Sequence, residues 1–234
     1  MFGCAGSSMK INRYLVLTLN SGLHKLNEDE SRAVYGIFFN ESIQPWKRGN
    51  HLMREMRFHG RGGQGTVVAS ILLAEAFFSA GYHVQSFPAF GVERRGAPVE
   101  AYLRIDREKI LLRTGIIAPD CVVVQDSHLL ASVDVTRGLK ANGWVLINMP
   151  KREQHADALA GFRTACVDAT RIGVEHGLGT RTHPMVNTAM VGAFARIMEA
   201  PPLDWVTSAI RGHIAVEPER NIAAAIQAYE TVQF

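Results

Sequence analysis

The sequence predicts an α/β fold: an open, mostly parallel sheet with helices on both faces and a C-terminal helical region. Three features predict it. Two short apolar runs, 121–124 and 145–147, have the length and composition of strands buried on both faces. A glycine-punctuated turn at 60–65 separates a strand pattern from a dense helical pattern. The last third of the chain is patterned as helix.

In chain order, a short strand from Met56 enters the glycine turn, and 64–80 forms a helix whose apolar positions include Val67, Val68, Ile71, Leu72, Leu73, Ala76 and Phe77. Gly81 ends it as a C-terminal glycine does. A second strand is expected at 82–87, a Gly/Pro/Arg-rich loop at 88–98, and a strand of alternating polarity at 99–105. A helix at 127–141 would link strands 121–124 and 145–147 as a βαβ unit. One more strand fits 163–167, and helices fit 184–199, 203–210 and 219–229.

With 234 residues, 47% of them hydrophobic, the chain can bury one sizeable core but not two comfortable ones. A formal net charge of +3 on a charged fraction of 20% offers no basic face for a phosphate backbone, so no nucleic-acid partner is expected. Cys4, Cys121 and Cys166 form no CxxC pair and no Cys/His cluster, which predicts no iron–sulfur or zinc site in this chain and fits a reducing, cytoplasmic setting. No apolar run approaches a membrane helix, and the patch at 14–19 is short for a signal segment.

Gly60, Gly62 and Gly65 stand at GxGxxG spacing in His59-Gly60-Arg61-Gly62-Gly63-Gln64-Gly65-Thr66, between a strand and a helix. Such glycines let backbone approach a ligand closely, and free N–H groups at the helix start face an anion. A nicotinamide dinucleotide site would add an acidic residue at the end of the second strand, where this chain has Gln85, Ser86 and Phe87. Two readings stay open on the motif alone: a phosphate site, or a tight turn that packs helix on sheet.

The second singular stretch runs from Phe87 to Val99 and carries Phe87, Phe90, Glu93, Arg94 and Arg95. Guanidinium groups suit carboxylates and phosphates, and Phe beside Arg is typical of protein interfaces. The alternative is a solvated turn in which Glu93 neutralises a neighbouring arginine.

Together these residues resemble the gamma subunit of the pyruvate:ferredoxin and related 2-oxoacid:acceptor oxidoreductase family. The resemblance rests on His59 to Gly65, on Ser86-Phe87-Pro88 and Glu93-Arg94-Arg95-Gly96-Ala97-Pro98-Val99, on Val167-Asp168-Ala169-Thr170, and on Val186-Asn187-Thr188-Ala189-Met190-Val191-Gly192-Ala193. It implies a hetero-oligomer that decarboxylates a 2-oxoacid oxidatively and passes the acyl group to coenzyme A and electrons to ferredoxin or NAD. Thiamine diphosphate, Mg and iron–sulfur clusters would reside on partner chains: thiamine-binding alpha and beta subunits, a ferredoxin-like delta subunit and, in some forms, a flavin subunit. Coenzyme A would occupy a shared site, touched here by Gly60, Arg61, Gly62, Gly63, Gln64, Gly65, Thr66 and Asn187. Phe87, Phe90, Glu93, Arg94 and Arg95 would serve the subunit interface. Pyruvate is the substrate expected first, with 2-oxoglutarate, branched-chain and aryl 2-oxoacids such as phenylglyoxylate left open.

No nucleophile–base–orienter set stands out, which agrees with a chain inactive alone. His59 reads as a structural histidine at the end of a buried strand, His183 as part of a helix-opening turn, and Asp168 and Thr170 as turn residues. Val92 stands where the family commonly has proline. Residues 1–54 lack sustained periodicity and precede the resemblance, so they are expected to be an N-terminal extension, unstructured or an upstream reading ahead of Met53, with the gamma-type domain at 55–234.

Overall fold

The computed structural model describes residues 53–89, 96–150, 159–180 and 182–234; the N-terminal extension of the sequence reading lies outside them. The strands are β1 (Arg54–Arg61), β2 (His83–Pro88), β3 (Pro98–Asp106), β4 (Cys121–Val124), β5 (Trp144–Asn148) and β6 (Arg163–Val167), with a small hairpin of β7 (Gly179–Thr180) and β8 (His183–Pro184). The helices are α1 (Thr66–Ser79), α2 (Ala169–Glu175), α3 (Asn187–Met198), α4 (Leu203–His213) and α5 (Pro218–Thr231). None is long and apolar enough to cross a membrane among the described residues.

The main sheet has the order β2-β3-β1-β4-β5-β6. β1, β4, β5 and β6 run parallel, whereas β3 is antiparallel to both β1 and β2. The predicted class therefore holds as a mixed and mostly parallel sheet, but the expected helices on both faces need correction: the α-helices of the described residues all pack on one face, and the other is covered by a 3₁₀ turn and loops. Alternation along the parallel strands feeds two cores. Met56, Phe58, Cys121, Val123, Leu146 and Ala165 face a layer built from the five helices of the described residues. Val122, Val124, Val145, Ile147 and Cys166 face the other way, under Leu129, Val135 and Leu139. Phe77 of α1 meets Tyr82 and Phe194 edge-on, at 5.6 and 6.4 Å between centroids, and so fastens α1 to α3 within the helical layer.

Three local expectations need correction. The stretch 127–141 forms only a 3₁₀ turn, Ser127–Ala131, followed by turns. Side chains from within and outside the stretch compete for its backbone: Asp126 accepts from His128 N, Ser132 Oγ donates to Leu129 O, and buried Arg57 of β1 takes the carbonyls of Val135 and Arg137. Asp168 does not close a simple turn. Its carboxylate accepts from Arg171 N and caps α2, with Thr170 inside that helix. His183 belongs to β8, because Met185 N bonds Leu178 O and delays α3 to Asn187.

Candidate functional site

The glycine loop lies at the carboxyl ends of the adjacent parallel strands β1 and β4. From there β1 leads to α1 on the helical face, and β4 leads to the 3₁₀ turn on the opposite face. Such a reversal opens a crevice between neighbouring strand ends, the habitual ligand position of open α/β sheets. The antiparallel strand β3 occupies the other side of β1, so β2 is not its neighbour as a nicotinamide dinucleotide fold would require.

Within the loop, Gly60 is fixed by close approach. A Cβ there would come within 2.1 Å of Thr66 Oγ1 and 2.9 Å of Gln125 Oε1. Gly65 opens α1 at φ 74°, a left-handed conformation, and a Cβ there would come within 2.6 Å of Asn187 Nδ2. Among the described residues no side chain caps the start of α1. Its first amides precede any intrahelical acceptor and carry the positive end of the helix dipole.

Two amide groups frame this helix start. Thr66 Oγ1 donates to Gln125 Oε1 at 2.9 Å, and Asn187 Oδ1 accepts from Thr188 N at 3.0 Å. Gln125 and Asn187 are 0% and 1% exposed, and Gln125 Nε2 and Asn187 Nδ2 have no hydrogen-bond partner among the described residues. An unpaired buried donor costs about 1–3 kcal/mol, so two beside one uncapped helix end mark a place suited to an acceptor.

The charged groups are ordered as well. Arg61 Nε donates to Asp126 Oδ2 at 2.7 Å and Arg61 Nη1 to Gly96 O at 3.1 Å. Gln64 Oε1 accepts from Arg61 N at 2.8 Å, while its Nε2 is 3.4 Å from Asp126 Oδ2. Burial would raise the Asp126 carboxyl, yet hydrogen bonds from His128 and Arg61 hold it below its ordinary value. Gly62 is bonded in both directions, its N to Ala97 O at 2.9 Å and its O to Gly96 N at 3.1 Å. The base of the Phe/Arg-rich hairpin is thereby joined to the glycine loop.

The loop residues 60–66 and Asn187 thus come together. Phe87 lies apart on the opposite sheet face, 5.2 Å from the Tyr102 ring and 5.5 Å from the Arg104 guanidinium. Phe90, Glu93, Arg94 and Arg95 fall outside the described residues. His59 is a buried structural group. Its Nε2 accepts from Arg57 Nε at 3.0 Å, its Nδ1 lies 3.6 Å from Glu100, and burial pushes its pKa down to about 4 against the pull of that carboxylate. Gln125 and Asp126 were not read from sequence as site residues. The available signal was two polar side chains directly after the apolar run of β4.

Residues 55–231 match the family model described as pyruvate ferredoxin/flavodoxin oxidoreductase. The pyruvate/ketoisovalerate oxidoreductases common subunit gamma of Pyrococcus abyssi is 47% identical over 185 residues, covering 77% of this chain and 98% of that one. The crystal structure of pyruvate oxidoreductase subunit PORC from Thermotoga maritima aligns with a TM-score of 0.66 at 34% identity, over 77% of this chain and 97% of the other. A 2-oxoglutarate:ferredoxin oxidoreductase from Magnetococcus marinus, solved with 2-oxoglutarate, coenzyme A and succinyl-CoA, shares the fold alone, at 16% identity and a TM-score of 0.60 over 76% of this chain and 30% of that one. By the extent of the family match and this identity over nearly the whole of a gamma subunit, the chain belongs to the pyruvate ferredoxin/flavodoxin oxidoreductase family.

Proposed function

We propose that this gamma-type chain supplies part of the coenzyme A site of a 2-oxoacid oxidoreductase, binding the phosphates of the cofactor at the glycine loop. The observation that carries the reading is the pair of buried, unpartnered amide donors, Gln125 Nε2 and Asn187 Nδ2, beside the uncapped start of α1. Arg61, oriented by Asp126, adds a fixed positive charge at the same loop. When bound, coenzyme A supplies the thiol that accepts the acyl group. The residues of this chain bind and orient, and none is asked to move a proton.

Thiamine diphosphate, Mg and the iron–sulfur clusters are assigned to alpha, beta and delta partner chains. Cys121 is buried and its thiol is pushed well up by desolvation, which suits a packing role. Pyruvate is the substrate proposed first, by analogy with relatives named for it, and ferredoxin or NAD is the proposed acceptor, the matching family being described by pyruvate with ferredoxin or flavodoxin.

The test is steady-state kinetics of the assembled enzyme carrying Arg61→Gln or Asn187→Leu. The apparent KM for coenzyme A should rise about tenfold, as expected for roughly 1.4 kcal/mol of lost binding, with the KM for the 2-oxoacid changed far less. Equal changes in both would contradict a phosphate-binding loop.

A further inference from the structure

Between β3 and β4 the chain runs from Arg107 to Asp120 with neither helix nor strand, across the polar face of the antiparallel half-sheet. It is held from beneath. Gln85 Nε2 donates to Leu112 O at 3.0 Å and Arg104 Nη2 to Gly115 O at 3.1 Å. Arg104 is only 1% exposed and is itself set by Glu55 Oε1 at 2.8 Å and Gln85 Oε1 at 2.9 Å. Ile110 and Ile116 turn inward as apolar anchors, at 8% and 4% exposure.

The same backbone turns other apolar side chains out. Leu111 is 75% exposed, Leu112 47% and Ile117 80%. A slack loop could fold such residues under, whereas one pinned at two carbonyls and two isoleucines cannot. Apolar groups displayed on a fixed, irregular backbone mark a contact surface. Lys109 and Arg113 flank them, both exposed and without a carboxylate partner among the described residues; Glu108 is the one acid from 107 to 119.

We propose that the Leu111/Leu112/Ile117 face docks on another subunit of the oxidoreductase complex, in an apolar groove bordered by carboxylates. The proposal rests on the reading of this chain as one subunit of an assembly. Charge selects that occupant. A second copy would set Lys109 and Arg113 against their own equivalents, and residues 1–52 carry more Lys and Arg than Asp and Glu. A carboxylate-rimmed groove on a different chain satisfies both the apolar side chains and the two cations.

The experiment places a photo-crosslinking amino acid at Leu111 in the full-length tagged chain and irradiates the anaerobically purified complex. Adducts to a different subunit, at a peptide rich in Asp or Glu, are expected. Adducts confined to residues 1–52 or to a second copy of this chain, or none in an intact complex, would overturn the proposal. In parallel, Lys109→Glu with Arg113→Glu should lower recovery of the partner subunit at least tenfold at low salt while the melting curve of the isolated chain stays unchanged. Full recovery of the partner with that variant would likewise refute the docking surface. If even the unaltered chain brings down no other subunit, the assembly reading itself fails, an outcome distinct from an intact complex lacking the crosslink.

Discussion

The sheet face opposite the five helices is two different surfaces. Across β4, β5 and β6 it is apolar, with Val122, Val124, Val145 and Ile147 wholly buried under the 3₁₀ turn and the turns after it. Across β2, β3 and β1 it carries Gln85, Arg104, Arg57 and His59, equally buried yet polar. The apolar half stabilises by area removed from water and needs no particular geometry in its cover. The polar half gains little from burial as such, because charged groups lose their hydration there. What it provides is position. Arg57 fixes the carbonyls of Val135 and Arg137, and Arg104 fixes Gly115 beside the exposed leucines. One half stores stability, and the other converts some of it into fixed loops.

The largest expected effect follows from breaking a polar pin. Arg104→Met should destabilise by about 3 kcal/mol, because it strands Glu55 and Gln85 without their partner, whereas Ile147→Val on the apolar half should cost only about 1 kcal/mol. Adding Glu55→Gln and Gln85→Leu to Arg104→Met should recover much of the loss in denaturant melts while loosening residues 107–118 in hydrogen exchange. A full recovery with unchanged exchange would erase the distinction between the two halves.

Next in size is the pH response of His59. Its folded pKa, about 4, lies below the value of about 6.5 expected in the unfolded chain, so the unfolded state binds the proton first. Stability should therefore fall as pH drops from about 6.5 towards 4 and level off below, by a total on the order of 2–3 kcal/mol. His59→Asn should flatten that part of a stability–pH profile.

The smallest effect has the opposite sign. A hydrogen bond to Glu75, at 3.0 Å, raises the His213 pKa although burial opposes it, and the pair ties α4 to α1. That contribution is fully present below the unfolded pKa of histidine and is lost as pH rises through the folded one. Both side chains are about one-third exposed, so it should stay below about 1 kcal/mol. Glu75→Gln should remove it, and a profile in which both histidines act in the same direction would contradict these environments.

Much of the parallel half was legible because strands buried on both faces are written as unbroken apolar runs, as at Cys121–Val124. The glycine loop was legible because its spacing fell between a strand and a helix pattern. The antiparallel half was harder. Val99 to Ile105 alternates like a strand with one wet face, yet Arg104 on that face is buried beneath a loop whose path no local pattern records. Residues 127–141 carry enough leucine and valine to suggest a helix, and the carbonyls taken by Arg57, seventy-eight or more residues away, decide otherwise. Gln125 and Asp126 escaped notice for a related reason, since only strand order places them against Gly60 and Arg61. Asp168 was read as a turn residue because the helix that it caps is one of seven residues, too short to announce itself by period.

The most direct test of the central claim is anaerobic purification of the tagged chain, with mass spectrometry of the co-purifying subunits and an assay of dye reduction with a panel of 2-oxoacids, with and without coenzyme A. Thiamine-binding and iron–sulfur chains are expected in constant ratio to this one, with activity that requires coenzyme A. A chain that emerges alone and inert, or activity indifferent to coenzyme A, would contradict it.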